Sequence, residues 1–300
     1  MAKTYPKVTV RIPAYNHEKY VEQAVLSVVN QTYPNIELIV IDDGSSDRTP
    51  EILQRLSDAH GFHFESQENM GVTKTLNKIT ALATGEYICG VASDDYLEHD
   101  KIEKQVAYLE SHPDVAFCHG RNSFVDAESN LIKNKDTLHK TKDWCEGDIF
   151  NELLKRGCFI AAPTVMMRLD ALKEIGGYDV DCPIEDWDMW LKLAHRYKAG
   201  FIEDNLAYYR FHESNTYWDT RNYIKMYHAE KHILDKWSST PGIATIMQRY
   251  YLRWFYRLSL VDRRIAFRYA IKALPSVTRS IYWKAWLRFA SRGRFSKAAK

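Results

Sequence analysis

Short apolar runs alternate with helical apolar stripes along the first third of the chain. Residues 8–12 and 36–41 are β-rich runs, and the second, IELIVI, is nearly all apolar, as expected for a strand buried on both faces. Between these runs, apolar side chains recur at helical spacing at Val21, Ala24, Val25, Val28 and Val29. The order strand, helix, strand predicts a βαβ unit with parallel strands.

The pattern repeats towards residue 95. Further strands are predicted at 62–65 and 87–92, and the helix between them turns Val72, Leu76, Ile79 and Ala83 inward before Gly85 ends it. Three of the predicted strands run directly into polar loops: Pro13-Ala14-Tyr15-Asn16, Asp42-Asp43-Gly44-Ser45-Ser46-Asp47 and Ser93-Asp94-Asp95. In a parallel sheet these loops meet at the carboxyl edge of the strands, where α/β proteins bind their ligands.

Residues 115–211 mix strands with helices and continue the same domain. The apolar patterns predict strands at 115–125, 163–168 and 201–211, and helices at 148–156 and 184–197. Pro241-Gly242 marks a break before a basic, aromatic tail. We therefore expect one domain over residues 1–220 and a helical extension over residues 221–300.

The charge of the chain is segregated. With 300 residues, 45% apolar and 27% charged, the composition is that of a folded globular protein and excludes disordered and fibrous classes. Residues 247–300, however, carry 14 Lys and Arg and a single acid, a net charge of +13, whereas residues 1–246 carry a net charge of −11. This asymmetry predicts an anionic partner for the tail, either nucleic acid or the phosphates of a membrane surface.

Cysteine usage and hydropathy restrict the cellular compartment expected for this protein. The five cysteines show no C-x-x-C spacing and are odd in number, so we expect neither a zinc site nor a disulfide framework but a reducing cytoplasm. The segment MAKTYPKVTV lacks the apolar core of a signal peptide. Since no run of about 18 apolar residues occurs, no transmembrane helix is predicted.

The acidic loop ends are the first candidate chemistry. Asp42, Asp43, Asp94 and Asp95 would bring like charges to one edge of the sheet, where a cation or hydrogen-bond donors must balance them. A divalent metal that bridges to a diphosphate meets this need, because Mg²⁺ and Mn²⁺ accept one or two carboxylates together with phosphate oxygens. Helix capping by these acids is the open alternative.

Two other nucleotide-binding classes are disfavoured by the first loop. A dinucleotide-binding enzyme would carry G-x-G-x-x-G after the first strand, and a P-loop enzyme G-x-x-x-x-G-K. Residues 13–18 read PAYNHE, without a glycine. The sequence thus argues against hydride transfer and kinase-type chemistry.

Motifs in a fixed order carry a resemblance to a known family. VTVRIPAYNHEKYVEQAVLSVVNQTYPNIELIVIDDGSSDRT, ENMG, GEYICGVASDD, IGGYD and IEDWDMWLKLA together resemble glycosyltransferase family 2 over residues 7–215. The resemblance implies the GT-A fold, an α/β domain with a mainly parallel central sheet flanked by helices. It also implies an inverting, metal-dependent transferase of the bacterial surface-polysaccharide type, which moves a sugar from a UDP-sugar to a saccharide acceptor.

On the donor side, the resemblance assigns the nucleotide to five residues: Pro13, Tyr15, Asn16, Asp43 and Asp94. Pro13 and Tyr15 are expected against the base, and Asp43 at its imide edge, which favours uracil. Asp94 is expected near the ribose.

The resemblance places the metal, Mn²⁺ or Mg²⁺, on Asp95, and many family members have another acid where this chain has Ser93. His212 follows the last predicted strand and is a further candidate for the metal or the diphosphate, or an exposed loop histidine. Arg210 is a candidate to balance phosphate charge. Lys74 and Asn77 match donor-contacting positions loosely, and a solvated helix face is the alternative for them.

On the acceptor side, the family places the catalytic base at the second acid of an E-D pair, here Asp186. Inverting transfer needs one carboxylate to remove the proton of the acceptor hydroxyl. Glu185 and Asp188 are second choices, and Gly177 with Tyr178 forms the expected acceptor approach. The alternative is that these acids only complement a helix N-terminus.

The tail has an interpretation of its own. Tyr282, Trp286 and Phe289 share one helical face while Lys284, Arg288 and Arg292 share another, a pattern typical of an interfacial helix. We expect it to hold the protein at the inner face of the membrane, near a polyprenyl-diphosphate-linked acceptor for polysaccharide or O-antigen synthesis, with no nucleic acid partner. A packed helical subdomain remains the alternative for the tail. A sugar-1-phosphate nucleotidyltransferase and a noncatalytic scaffold remain alternatives for the function.

Overall fold

The computed structural model describes residues 5–132, 145–182, 184–212 and 223–291. The chain divides into two compact units, residues 1–181 with 185–214, and residues 182–184 with 215–300. The boundary expected at residue 220 lies outside the described residues and stays a prediction.

The first unit is built on one eight-stranded sheet of order β3-β2-β1-β4-β7-β6-β8-β5. Its strands are β1 (Val8–Ala14), β2 (Ile36–Asp42), β3 (His63–Ser66), β4 (Tyr87–Gly90), β5 (Tyr96–Leu97), β6 (Val115–Val125), β7 (Met166–Arg168) and β8 (Lys198–Arg210). Strands β3, β2, β1 and β4 are parallel neighbours, and β6 is parallel to β8. Because β7 runs antiparallel to both β4 and β6, all of the longer strands end at one edge.

Helices cover this sheet. They are α1 (Val21–Val29), α2 (Thr49–His60), α3 (Val72–Leu82), α4 (Lys101–Ser111), α5 (Phe150–Arg156), α6 (Leu169–Glu174) and α7 (Glu185–Arg196). The expected α/β class and mainly parallel sheet are confirmed, and helices α2, α4 and α6 are additions that the apolar pattern did not predict.

The centre of the sheet is buried on both faces, as IELIVI indicated. Val40 of β2 packs with Val10 of β1 in the main core, whereas Ile39 and Ile41 pack against Ile79 of α3 on the other side. Each face therefore has its own apolar layer, and this double burial stabilises the strands whose ends carry the polar loops.

Strand β1 is longer than predicted. Pro13 and Ala14 were expected in a turn, but they pair with Ile41 and Asp42, and Asp43 N donates to Ala14 O at 2.8 Å. Proline cannot donate to a strand ladder, yet its fixed φ is compatible with extended backbone at the end of a strand. The loop therefore begins at Tyr15.

The second unit is helical and has its own core. Its helices are α8 (Tyr223–Lys236), α9 (Ile243–Leu258), α10 (Arg263–Lys272) and α11 (Ser280–Ser291). Trp254, Phe255 and Leu258 of α9 are fully buried. Among the described residues, no helix is long and apolar enough to cross a bilayer.

The aromatic face of α11 differs from the expectation for an interfacial helix. Tyr282 is 3% exposed, and its ring lies 5.7 Å from that of Phe255, while the Trp286 ring lies 5.3 Å from Phe255. Phe289 in turn contacts Trp286. These aromatics pack inside the unit because α9 offers them an apolar surface, so the packed-subdomain alternative describes them.

Candidate active site

Three side chains from three separate loops meet at the carboxyl edge of the sheet. His17 follows β1, Asp94 follows β4 and His212 follows β8. His212 Nε2 lies 2.9 Å and His17 Nε2 3.8 Å from Asp94 Oδ2, and one donor atom from each residue lies within 4.8 Å of the others. Two imidazoles and a carboxylate form a donor set that suits a divalent transition metal.

The protonation states of His17 and Asp94 also suit the binding of a cation. Burial lowers the pKa of His17 despite the opposing charge of Asp94, so its ring is neutral at pH 7 and has a lone pair to offer. Burial alone would raise the pKa of Asp94, but the hydrogen bond from His212 and the nearby His17 outweigh it and hold that pKa below its ordinary value. The ring of His17 is oriented by a 2.8 Å hydrogen bond between Nδ1 and Ser93 Oγ.

Asp95, the residue expected to bind the metal, points elsewhere. Its side chain is 3% exposed, and Oδ1 accepts a 2.8 Å hydrogen bond from the backbone N–H of Arg210. Burial, reinforced by the charge of Asp94, raises the pKa of Asp95 well above its usual range. The cluster of possible metal donors among the described residues contains Asp94 and not Asp95, and the expected metal contact of Asp95 stays a prediction.

Arg210 likewise has a different role from the phosphate contact that was expected. It is 1% exposed and donates to Asp94 O at 2.7 Å, to Gln23 Oε1 at 2.6 Å and to Ser129 Oγ at 2.9 Å. Its guanidinium also lies 4.7 Å from the centre of the Tyr20 ring. Because these contacts engage its donors within the protein, Arg210 fixes the loops around Asp94.

The loop after β1 is joined to the loop after β2. Asn16 has a positive φ of 53°, its N–H donates to Ser45 Oγ at 2.8 Å, and its Oδ1 accepts from Ser46 N at 2.8 Å. This arrangement leaves Tyr15 48% exposed at the end of the strand. An exposed ring held at the sheet edge is suited to stacking on a base.

Asp43 is committed to loop structure. Its carboxylate is 4% exposed and accepts hydrogen bonds from Met70 N, Gly71 N and Gln67 Nε2 at 2.8, 2.8 and 2.9 Å. Its neighbour Asp42 accepts from Ser66 Oγ at 2.9 Å. These contacts tie the DDGSS and ENMG loops together, and the expected contact of Asp43 with the imide edge of the base stays a prediction.

Asp186 lies in the first turn of helix α7 and has a raised pKa. Burial of its carboxyl raises the pKa to about 6, against the opposing pull of the Arg11 guanidinium. A carboxylate with a pKa near neutrality is suited to general base catalysis, since it is ionised at pH 7 yet accepts a proton readily. Glu185 and Asp188 share the first turn of this helix, and Asp188 is only 1% exposed.

Arg11 is the charged group that acts on the pKa of Asp186, and the sequence interpretation missed it. Arg11 lies in β1 opposite Gly90, the last residue of β4, four positions before Asp94. It is 6% exposed, its Nη2 donates to Tyr178 Oη, and its guanidinium lies 4.9 Å from the centre of the Tyr178 ring. A charged residue inside a buried, mainly apolar strand, VTVRI, is the signal that could have identified it.

Tyr178 is held firmly beside this charge. Asn77 of α3 accepts from Tyr178 N and donates to Tyr178 O, both at 2.8 Å. Gly177 has a φ of +67°, and a Cβ there would lie 2.8 Å from Asn77 Oδ1. Asn77, a loose match to a donor contact, therefore acts as a clamp on the loop before α7, whereas Lys74 is exposed on α3.

Comparison with known sequences decides the family. The profile of Glycosyl transferase family 2 matches residues 9–176, more than half of the chain. The chain belongs to glycosyltransferase family 2. The matched segment contains the Asp43, Asp94 and Arg11 positions, and the expected family is thereby confirmed.

Curated relatives are similar to this chain over only part of their own length. An uncharacterized glycosyltransferase of Haemophilus influenzae is 39% identical over 138 residues, which are 45% of this chain and 54% of that protein. A chondroitin synthase of Escherichia coli is 38% identical over 133 residues, 44% of this chain and 19% of that protein. The chain thus spans about half or less of these relatives.

Solved structures confirm the GT-A fold of this family 2 chain. The structure of S. aureus TarS 1-349 in complex with UDP superposes with a TM-score of 0.60 at 18% identity, covering 95% of this chain and 88% of that one. Mannosyltransferase PcManGT from Pyrobaculum calidifontis, in complex with GDP-Man and Mn²⁺, gives a TM-score of 0.62 at 17% identity, covering 98% and 82%.

Proposed function

We propose that this chain is a metal-dependent, inverting glycosyltransferase that moves a sugar from a UDP-sugar to a hydroxyl of a saccharide acceptor. The observation that carries this proposal is the His–Asp–His cluster at the carboxyl edge of a GT-A sheet, beside which the chain has a buried carboxyl of raised pKa, Asp186, that interacts with the charge of Arg11 in β1. The His–Asp–His cluster suits the binding of a diphosphate through a metal. The Asp186 carboxylate suits the removal of a proton from an acceptor hydroxyl. The sugar would be transferred between them.

The donor half uses the loops after β1, β2 and β4. His17, Asp94 and His212 would hold Mn²⁺ or Mg²⁺, and the two imidazoles favour Mn²⁺. The bound cation would neutralise the charge that develops on the leaving diphosphate. Tyr15 would stack on the uracil, while Asp43 keeps the loop behind it in place. The UDP complex of TarS and the GDP-Man complex with Mn²⁺ support a nucleotide-sugar donor.

The acceptor half uses Asp186. Its carboxylate would accept the proton of the acceptor hydroxyl as that oxygen forms a bond to the anomeric carbon, opposite the breaking bond to the diphosphate. Attack opposite the leaving group inverts the anomeric configuration. Tyr178, fixed by Arg11 and Asn77, would form the wall along which the acceptor approaches.

We place the acceptor among lipid-linked saccharides of surface polysaccharide or O-antigen synthesis, used at the inner face of the membrane. The likeness to a chondroitin synthase supports a role in building a polysaccharide. The net charge of +13 over residues 247–300 supports work near anionic headgroups.

The reaction is tested with the purified chain, MnCl₂, a polyprenyl-diphosphate-linked saccharide as acceptor and a panel of UDP-Gal, UDP-Glc, UDP-GlcNAc, UDP-GalNAc and GDP-Man. Release of free nucleoside diphosphate from one UDP-sugar is the expected result, and chelation with EDTA should stop it. A nucleotidyltransferase would instead release pyrophosphate from UTP and a sugar phosphate, and a noncatalytic scaffold would turn over nothing. The anomeric coupling constant in the product NMR spectrum tests inversion.

The base is tested by Asp186→Asn with Glu185→Gln as the matched control. General base catalysis contributes about a hundredfold to ten-thousandfold in rate, so Asp186→Asn should lower kcat by that factor while calorimetry shows UDP binding unchanged. Glu185→Gln should stay close to wild type. Full activity in Asp186→Asn would remove the assignment.

A further inference from the structure

Exposed apolar side chains are concentrated in one short segment of the second unit. Among the described residues, 16 large hydrophobic side chains are exposed, and eight of them lie within residues 261–287. These eight are Val261, Phe267, Ile271, Leu274, Val277, Ile281, Trp283 and Leu287. Single exposed hydrophobics are ordinary, but a cluster of this size marks an interaction surface.

Five of the eight residues lie on exposed sides of helices α10 and α11, and the other three lie just before α10 or in the connection between the helices. Phe267 and Ile271 are one turn apart on α10 and are 49% and 53% exposed, and Trp283 and Leu287 are one turn apart on α11 and are 56% and 71% exposed. The two helices are neighbours here, since the ring of Phe267 lies 6.2 Å from that of Trp286, and Trp283 Nε1 donates to Val277 O of the connection at 2.9 Å. We call these exposed residues of 261–287 the α10–α11 face.

The α10–α11 face is not needed to complete the core of the unit. The opposite sides of the same helices are already buried, with Ala266, Tyr269 and Ala270 on α10 and Tyr282 and Ala285 on α11. Each helix therefore has one apolar side that packs inward and a second that faces solvent. Exposure of the second side has a free-energy cost unless a partner covers it.

Positive charge surrounds the α10–α11 face. Six exposed basic residues share the segment: Arg263, Arg264, Arg268, Lys272, Arg279 and Lys284. The single acid, Asp262, caps α10 by accepting from Ile265 N at 2.9 Å. The segment thus presents apolar and cationic groups together, with a net charge of +5.

This combination selects the partner. A second copy of the chain would bring a charge of +5 against +5, and a nucleic acid would satisfy the cations but not bury the apolar side chains. An anionic lipid surface accepts both, because its headgroups attract Lys and Arg while Trp, Phe and Leu enter the boundary below them. We infer that the α10–α11 face docks the protein in the plane of an anionic membrane.

This inference deepens the proposed function by naming the surface that meets the membrane, and its test needs no glycosyl transfer. Full-length protein is floated with vesicles of equal parts phosphatidylglycerol and phosphatidylcholine, and with vesicles of phosphatidylcholine alone. Flotation with the anionic vesicles, weakened by high salt and largely lost on the neutral ones, is the expected result. Absence of flotation with the anionic vesicles would overturn the inference.

The surface itself is tested by the double variant Ile271→Glu with Leu287→Glu. It should lower the fraction bound to anionic vesicles about tenfold or more, because carboxylates oppose both insertion and headgroup attraction. Leu131→Glu, at a residue that is 61% exposed in the first unit, is the matched control and should bind like wild type. Unchanged thermal melting and UDP calorimetry would show that both variants are folded and that the donor site is independent.

Two results would contradict the assignment. Equal flotation of the double variant and wild type would place lipid contact elsewhere. Sedimentation velocity that shows a wild-type dimer, converted to monomer by the double variant without any lipid effect, would assign the α10–α11 face to a second copy.

Discussion

At the scale of single residues, the structure distinguishes polar side chains that look equivalent in the motifs, because their burial and hydrogen bonds differ. Asp94 and Asp95 are adjacent in sequence, and the motif alone favoured Asp95 for the metal. The turn after β4, closed by Asp95 N donating to Ala92 O at 3.1 Å, sends Asp95 into the protein and Asp94 towards His212. The position of both aspartates after a strand was predictable from the sequence, but their side-chain directions depend on β8, which is distant along the chain.

Metal affinity should distinguish the two aspartates. Asp94→Asn is expected to weaken Mn²⁺ binding, measured by calorimetry in the presence of UDP, by about tenfold to a hundredfold or more, since even outer-sphere changes have effects of that size. Asp95→Asn is the matched control and should bind Mn²⁺ nearly as wild type does. The reverse result would return the metal to Asp95.

The pH dependence of activity should show the effect of Arg11 on the pKa of Asp186. As the proposed base, Asp186 would act when it is deprotonated, so activity is expected above its pKa of about 6 and should be lost as the pH falls through that value. Arg11 lowers this pKa, and Arg11→Met should therefore move the acidic limb of kcat/KM upward by about 1–3 pH units. Arg11→Lys, which keeps the charge, should shift the limb less. A limb that stays at the wild-type pH in Arg11→Met would show that the guanidinium only supports Tyr178.

At the scale of elements, strands and helices with a regular apolar periodicity could be predicted from the sequence, and those with an irregular periodicity could not. Strands β1, β2, β4, β6 and β8 and helices α1, α3, α5 and α7 were predicted within a few residues of their observed bounds. Helix α4 was missed because two polar residues, Lys101 and Gln105, lie on its buried face and interrupt the stripe. Strand β5 has only two residues, and its pairing with β8 is a tertiary event without a local signal.

In the loop between α6 and α7, substitution by alanine should lower stability more at Gly177 than at the adjacent Gly176. Gly176 and Gly177 both have positive φ, at 81° and 67°, but only Gly177 approaches another group, Asn77 Oδ1. An Ala in the left-handed region costs about 1–2 kcal/mol, so Gly176→Ala should lower the free energy of unfolding by that amount. Gly177→Ala should lower it further and also displace Tyr178 from Arg11. Denaturant unfolding of both variants measures the difference, and equal losses would contradict the clamp by Asn77.

At the scale of the whole molecule, the charge is divided along the sequence into an acidic and a basic part, but the aromatic face of the tail that was expected at a membrane packs inward. Tyr282 and Trp286 predict an interfacial helix because aromatic residues opposite basic ones are typical of such helices. Amphipathicity alone cannot tell which of two apolar sides packs inward, because that depends on whether α9 supplies a core. Trp283 and Leu287 lie on the other side.

Two units with separate cores should respond differently to the donor. UDP with Mn²⁺ at about a hundred times its dissociation constant adds about 2.7 kcal/mol to the unit that binds it. Differential scanning calorimetry is therefore expected to show one transition that moves upward with UDP and Mn²⁺ and another that stays in place. A single transition that shifts as a whole would mean that the units unfold together.

The contact between Arg11 and Gly90 has an evolutionary consequence. A Cβ at position 90 would lie 2.8 Å from Cγ and 3.0 Å from Nε of Arg11, so the arginine can cross β4 only over a glycine. A relative with valine or isoleucine in place of Arg11 loses this steric reason to keep glycine there. The two positions are expected to change together among homologues, and lineages that keep both would be those whose base depends on a neighbouring positive charge.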